Sequence, residues 1–190
     1  MYNSLSVLPQ IPYNIITYLA TSADAEPLWK LLKYNGYDAL NQPNLTMSEK
    51  LDMLWKTGRQ QESSIFFTNL VEDAIPESKC VLKIYNYYDS PEELYRANIT
   101  YAFDFLYGGQ MSLVDYDGVP ASRGDVFINI MLTVLNGAYV GGVGSMTWLS
   151  DLSRYAAAKS IVGNNKTFTG VQLFLSVMAG DTGKKDDCSG

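Results

Sequence analysis

Ser122-Arg-Gly-Asp-Val-Phe-Ile-Asn-Ile-Met-Leu-Thr-Val-Leu-Asn-Gly137 reads as one capped amphipathic helix, and its position decides the fold. Ser122 and Asp125 have capping-box spacing, and Asp125 suits the positive end of a helix. Asn129, Thr133 and Asn136 recur at i, i+4 and i+7, with Ile128, Met131, Leu132 and Leu135 around the remainder. A narrow polar stripe beside a broad apolar face predicts a helix lying on a sheet. Asn136-Gly137 stops it. Val140-Gly-Gly-Val-Gly144 then makes a turn into two strands, roughly Val143 to Leu149 and Thr167 to Val177. The second places Val171, Leu173, Leu175 and Val177 on one face.

Three other roles for this stretch fail on context. Val126 to Leu149 has no charged residue over a bilayer-spanning length, but Asn129, Asn136 and four glycines interrupt it and its period changes midway. Arg123-Gly124-Asp125 spells an adhesion tripeptide, yet it sits at a predicted helix cap. The glycine run lacks the Lys-Ser/Thr of a phosphate loop and leads into a strand instead of a helix.

Upstream, Ile99 to Tyr107 alternates Ile99, Tyr101, Phe103, Phe105 and Tyr107 with Thr100, Ala102, Asp104 and Leu106, a strict period of two. This predicts a strand with an inward aromatic face and an outer face that is mostly small or polar. Val81 to Tyr88 predicts an antiparallel partner, broken by Asp89-Ser-Pro91, with Asp89 to Asn98 as a long connection. Ile65-Phe-Phe67 is a shorter strand. Before it come short helices. Ile15, Ile16 and Leu19 form one stripe and Leu28, Leu31 and Leu32 another, with Trp29 alongside, Asp24 as N-cap, Pro27 in the first turn and Asn35-Gly36 as the stop. Thr46-Met-Ser-Glu49 is a capping box opening a third helix that carries Leu51, Leu54 and Trp55 to Gly58. Helices, three strands, a helix and two strands imply an α+β fold: N-terminal short helices and a small, mostly antiparallel twisted sheet with one helix packed on it. Residues 1–60 read as a helical segment packed on the core, 61–179 as the core and 180–190 as a loosely ordered tail.

With 190 residues, 47% of them apolar, and 14 tyrosines, the chain is long and apolar enough for a folded core. The net charge of −6 argues against a surface that clamps phosphate backbones. There is no histidine, which removes Ser-His-Asp and Cys-His catalysis and every histidine-bearing metal site. Cys80 and Cys188 are far apart and make neither a disulfide framework nor a metal pair, and a reduced folding compartment is expected. Met1 to Gln10 lacks the pattern of a signal peptide, so the sequons at Asn44, Asn98 and Asn165 read as chance matches.

Asp104 is the one acid within the aromatic strand, but no partner acid is identifiable and it alternates onto the outer face. Tyr85, Tyr87 and Tyr88 suggest a base-stacking platform, yet only Lys83 interleaves with them; core or interface aromatics fit better. No catalytic, cofactor-binding or metal-ligating residue is assigned, no cofactor is expected, and no enzymatic activity either.

Several segments in order resemble a family of tailed-bacteriophage neck proteins, of tail-terminator or tail-completion type. They are Leu28-Trp-Lys-Leu-Leu-Lys-Tyr34, Asp38-Ala-Leu, Pro43-Asn-Leu-Thr46, Lys83-Ile-Tyr85, the strand Ile99–Tyr107, Leu135-Asn-Gly137, Gly142-Val-Gly144 and Asn164-Asn-Lys-Thr-Phe-Thr-Gly170. The resemblance runs from about Ile15 to Val177; Met1–Gln10 and Asp181–Gly190 depart from it. It implies a structural virion protein in a ring, a hexamer or two stacked rings, that joins the head and portal to the tail or caps the tail tube. Its partners would be itself, portal or connector proteins, and tail tube or sheath proteins. It would assemble in the bacterial host cytoplasm without a membrane. A neutral or acidic lumen passes DNA without binding it, and the loops Asp89–Asn98 and Gln110–Ser122 are expected to contact neighbours. The reading from another class is a small ligand-binding or enzymatic domain using Asp104 or the tyrosines.

Overall fold

The computed structural model describes residues 4–69, 79–93, 96–141, 144–148, 157–158 and 168–180. A 3-10 turn, Ser4–Gln10, leads into α1 (Ile11–Thr21) and α2 (Glu26–Lys33), followed by α3 (Met47–Asp52). The strands are β1 (Ile65–Phe66), β2 (Val81–Glu93), β3 (Arg96–Gly108), β4 (Leu113–Tyr116), β5 (Val119–Ser122), β6 (Met146–Trp148), β7 (Ala157–Ala158) and β8 (Phe168–Gly180). Helix α4 (Arg123–Leu135) lies between β5 and β6. The main sheet runs β1-β2-β3-β8-β6, with β7 also on β8, and β4-β5 is a separate hairpin. Among the described strands only β1 pairs parallel; the rest of the main sheet is antiparallel. This is an α+β fold, as the element order implies.

The alternation in β3 is real, and it sets one side of the core. Leu82 and Ile84 of β2 stand opposite Phe105 and Phe103, which stand opposite Val171 and Leu173 of β8. Helices α1, α2 and α4 cover this face with Ile15, Leu19, Leu28, Trp29, Phe127 and Met131, all in one continuous apolar cluster. Phe127 stacks on Phe105 with centroids 4.6 Å apart and planes 9° from parallel. Gly124 allows that approach, because a Cβ there would lie 2.7 Å from Val171 Cγ1.

The outer face of β3 differs from expectation. Thr100, Ala102, Asp104 and Leu106 are buried too, because side chains of the flanking strands lie against them: Tyr85 and Gln172 bond Asp104, and Phe66 and Val81 cluster with Leu106. Asp89-Ser-Pro91 does not break β2. The strand continues to Glu93 and pairs with β3 as far as Arg96, so no long 89–98 connection exists. Proline is tolerated there because, among the described residues, β2 is paired on one side only beyond Lys83. Gln110–Ser122 is likewise not a loop. It holds the β4–β5 hairpin, whose Asp117 and Gly118 have φ of 53° and 83°, both left-handed as a two-residue hairpin turn demands.

The caps divide. Thr46 and Glu49 close a full capping box on α3, and Ser122 Oγ accepts from the Asp125 N–H at 3.4 Å. Asp24 caps nothing: α2 begins after Ala25, without a side-chain cap, with Pro27 in its first turn. Gly36 is not left-handed, since α2 has already ended at Tyr34 in extended conformation. Helix α3 stops at Asp52, and Leu54 instead bridges Ile65, extending the sheet. Gly137, at φ 87°, does terminate α4. The glycine turn is flanked by a Tyr139–Ser145 bridge, and β6 is shorter than expected at Met146–Trp148. Gly142, Val143, Leu149, Asn164 to Thr167 and the 181–190 tail with Cys188 lie outside the described residues.

Candidate functional site

Register alone brings Lys83, Asp104 and Gln172 side by side on the outer face of β2, β3 and β8. Tyr85, two residues along β2, turns its hydroxyl onto the same carboxylate. Its O–H donates to Asp104 Oδ2 at 3.0 Å, and Gln172 Nε2 donates to Asp104 Oδ1 at 2.6 Å and to the Tyr85 oxygen at 3.3 Å. Burial, and then the Asp104 carboxylate, push the Tyr85 hydroxyl up to about 12. It therefore stays protonated and serves as a donor. Burial pulls the Lys83 ammonium down while Asp104 opposes the shift, and Lys83 donates to the Asn69 carbonyl at 3.2 Å. Each carboxylate oxygen already has a donor, so the cluster is a satisfied polar ladder across the sheet. A general base needs a free lone pair facing a substrate. Asp104 is only 8% exposed, with Tyr85 and Gln172 lying against its two oxygens.

Tyr87 and Tyr88 do not join Tyr85 as a platform. Tyr87 packs on Phe174, centroids 4.7 Å apart and tilted 54°, and Tyr88 follows a bulge between Asn86 and Tyr88. Tyr85 and Tyr87, two positions apart, share the outer face, but the first is tied to Asp104 and the second lies on Phe174, so neither offers an open ring.

Arg123, which the sequence marks only as part of an adhesion-like tripeptide, has the largest set of internal bonds among these residues. It is fully buried, and it donates through Nε to Met111 O (2.8 Å), through Nη1 to Leu31 O (2.9 Å) and Tyr34 O (3.1 Å), and through Nη2 to Asn35 O (3.4 Å) and Gly36 O (3.0 Å). Nη1 also lies 3.5 Å from Cys80 Sγ. Burial pushes the Cys80 thiol up, against the pull of Arg123, so it is no thiolate nucleophile. No salt bridge of Arg123 forms among the described residues. The cation instead caps the carbonyl end of α2, where the helix dipole is negative. An adhesion receptor has no access to it. A lone Arg before a capped helix gives no pattern that separates a buried bolt from a surface charge.

A cleft of about 480 Å³ opens between α2, α3 and β1, lined by Lys33, Lys79, Glu49, Asp52, Glu62 and Ser64 among others. Lys79 donates to the Gln61 carbonyl at 2.6 Å, and burial lowers its pKa against the pull of Glu62. Mixed charge on all walls gives no preference for an anion or a cation. Among the described residues no group of three or more His, Cys, Asp or Glu is placed to hold a metal, and no helix is long and apolar enough to cross a membrane.

The exposed surfaces carry more character than the clefts. The β4–β5 hairpin presents Leu113, Tyr116 and Val119 to solvent beside Tyr37. It is clamped by Asp115, whose N–H donates to Tyr37 O at 2.7 Å and whose Oδ2 accepts from Asn41 at 2.8 Å. On the sheet edge, Asn86 to Asp89 are all exposed.

The profile of the YomW family matches residues 25–177. No curated protein and no solved structure matches the chain.

Proposed function

The chain belongs to the YomW family, a Bacillus phage-derived family of SPbeta-prophage type, and on that premise we propose a structural role in the virion for a phage-associated protein. The role is that of a non-enzymatic neck protein, assembled in the host cytoplasm. It forms a ring that joins the head and portal complex to the tail and lets DNA pass through its lumen. The observation that supports this reading is where the unsatisfied chemistry lies. The internal polar groups Asp104, Tyr85, Gln172 and Arg123 have their partners inside the fold, while aromatic and apolar side chains stand exposed on the β2 edge and the β4–β5 hairpin. Exposed aromatics beside charges are what a protein–protein contact uses. An overall charge of −6 suits a lumen that DNA must traverse without sticking.

Negative-stain microscopy and native mass spectrometry of the purified full chain test this. Rings with a central pore, captured by portal or connector proteins in pull-down, support the neck position; capture by tail-tube protein alone moves the ring to the tail terminator. Compact monomers that bind a small ligand in the α2–α3 cleft would favour the other class and end the ring reading.

A further inference from the structure

The dipeptide Asn-Gly occurs twice in the chain, at Asn35-Gly36 and Asn136-Gly137. The fold accounts for the second. Gly137 takes the left-handed φ of 87° that ends α4, its N–H donates to the Met146 carbonyl at 2.7 Å, and Asn136 Oδ1 accepts from the Trp148 N–H at 2.9 Å. The first is not held in this way. Gly36 is not left-handed, and both Asn35 and Gly36 are exposed. Neither the Asn35 side chain nor the Gly36 N–H makes a hydrogen bond among the described residues.

An open Asn-Gly pair cyclises on its own, because glycine has no Cβ to shield its nitrogen. The Gly36 nitrogen gives up its proton and attacks Asn35 Cγ. The new C–N bond closes a succinimide ring, and the side-chain nitrogen leaves with that proton as ammonia. Water then adds to one of the two ring carbonyls, and the ring C–N bond breaks there. Opening at Cγ leaves an ordinary aspartate. Opening at the main-chain carbon leaves isoaspartate, in which the chain runs through Cγ and the former main-chain carbonyl is a free carboxylate.

The two openings are not equivalent here. The Asn35 main-chain oxygen faces Arg123 Nη2 at 3.4 Å, and no acidic group pairs with this buried guanidinium among the described residues. We infer that Asn35-Gly36 is a spontaneous modification site of the folded chain, and that Arg123 steers its product towards isoaspartate. The guanidinium draws charge from the main-chain carbonyl and stabilises the oxyanion that forms there when water adds. The product carboxylate stays against Arg123 on a residue open to water, so a carbonyl contact becomes a charge-assisted one without full burial of the new charge. The Tyr37 carbonyl, next along the chain, holds the β4–β5 hairpin through the Asp115 N–H at 2.7 Å, so the added backbone carbon is felt at the hairpin base. The inference goes beyond the neck reading and does not rest on it, since it concerns the free and the assembled chain alike.

The test holds the purified full chain folded in mildly alkaline buffer and digests it in mild acid, where conversion stops. Electron-transfer fragmentation of the peptides then tells isoaspartate from aspartate. Asn35 is expected to convert at least about tenfold faster than Asn136, which cyclises only after local opening. Its isoaspartate share should exceed that of the same peptide from chain held unfolded in urea, where Arg123 is not placed beside it. Asn35→Gln removes the acidic species that accumulates first on ion exchange. Arg123→Lys, without the planar fork, moves the product ratio towards the unfolded value. Circular dichroism confirms that both variants fold. An Asn35 that converts no faster than Asn136 would overturn the site. An isoaspartate share that is equal in folded and unfolded chains, or unchanged in folded Arg123→Lys, would overturn the steering by Arg123.

Discussion

Replacing Arg123 with methionine is the sharpest probe of how this fold is held. Its guanidinium donates to five carbonyls, those of Leu31, Tyr34, Asn35, Gly36 and Met111, in a site without solvent exposure. Methionine fills similar volume and offers no donor. At about 1 kcal/mol for each lost bond, the gross loss is about 5 kcal/mol. Removing an ion buried without a counter-charge returns part of this, so we expect a net destabilisation of about 3 kcal/mol. Arg123→Lys keeps the charge but has three donors without the planar fork, and should cost about 2 kcal/mol. Trp29, buried on α2 itself, reports the transition by fluorescence in urea. The expected order is wild type, then lysine, then methionine, with unchanged denaturant slope. A methionine variant within about 0.5 kcal/mol of wild type, the range of an ordinary surface change, would refute the carbonyl-cage argument.

Three further outcomes follow from the same packing. Lys50 and Glu26 form a nearly buried pair at 2.6 Å, and Glu26 also accepts from the Leu45 N–H at 2.6 Å. Lys50→Met should therefore cost about 3 kcal/mol by stranding the carboxylate, and adding Glu26→Gln should recover at least about 1 kcal/mol; a double variant no more stable than the single one contradicts this. Gly170→Ala, whose Cβ would meet the Phe105 carbonyl oxygen at 2.5 Å, should lower the melting temperature more than Gly124→Ala, whose Cβ meets the ends of Val171 and Tyr107; both act by overpacking of about 1–3 kcal/mol, and the reverse order counts against the argument. The Tyr85 and Tyr101 hydroxyls are both pushed up from 10.0 to about 12, mainly by burial. In that range the unfolded chain binds fewer protons than the folded one, so their contribution is full below pH 10 and is lost as pH rises through about 12. Urea midpoints at pH 8, 10 and 11 should fall in that order, and a flat profile sinks the assignment.

What was legible in the sequence was local. The Ser122 cap, the Thr46–Glu49 box, the stop at Asn136-Gly137 and the alternation from Ile99 to Tyr107 each depend on residues a few positions apart. All four appear where the spacing put them. The Asp117-Gly118 signal for a hairpin was also present, between Val114, Tyr116 and Val119. Its two flanking strands, of four residues each, are too short to stand out from a loop by pattern alone.

Tertiary structure decided the rest. Asp89-Ser-Pro91 reads as a breaker, yet a paired neighbour holds it extended, and an edge position excuses the proline. Whether the second face of β3 is wet or buried depends on which strands flank it, and the pairing with β8, some seventy residues on, makes it central. Arg123 shows the limit most clearly. Its cage comes from carbonyls up to 92 residues away, on a helix end and a 3-10 turn that only the packed core brings together. Backbone acceptors are the same at every position, so nothing in the sequence marks which of them a buried cation will find; the fold alone puts them in reach.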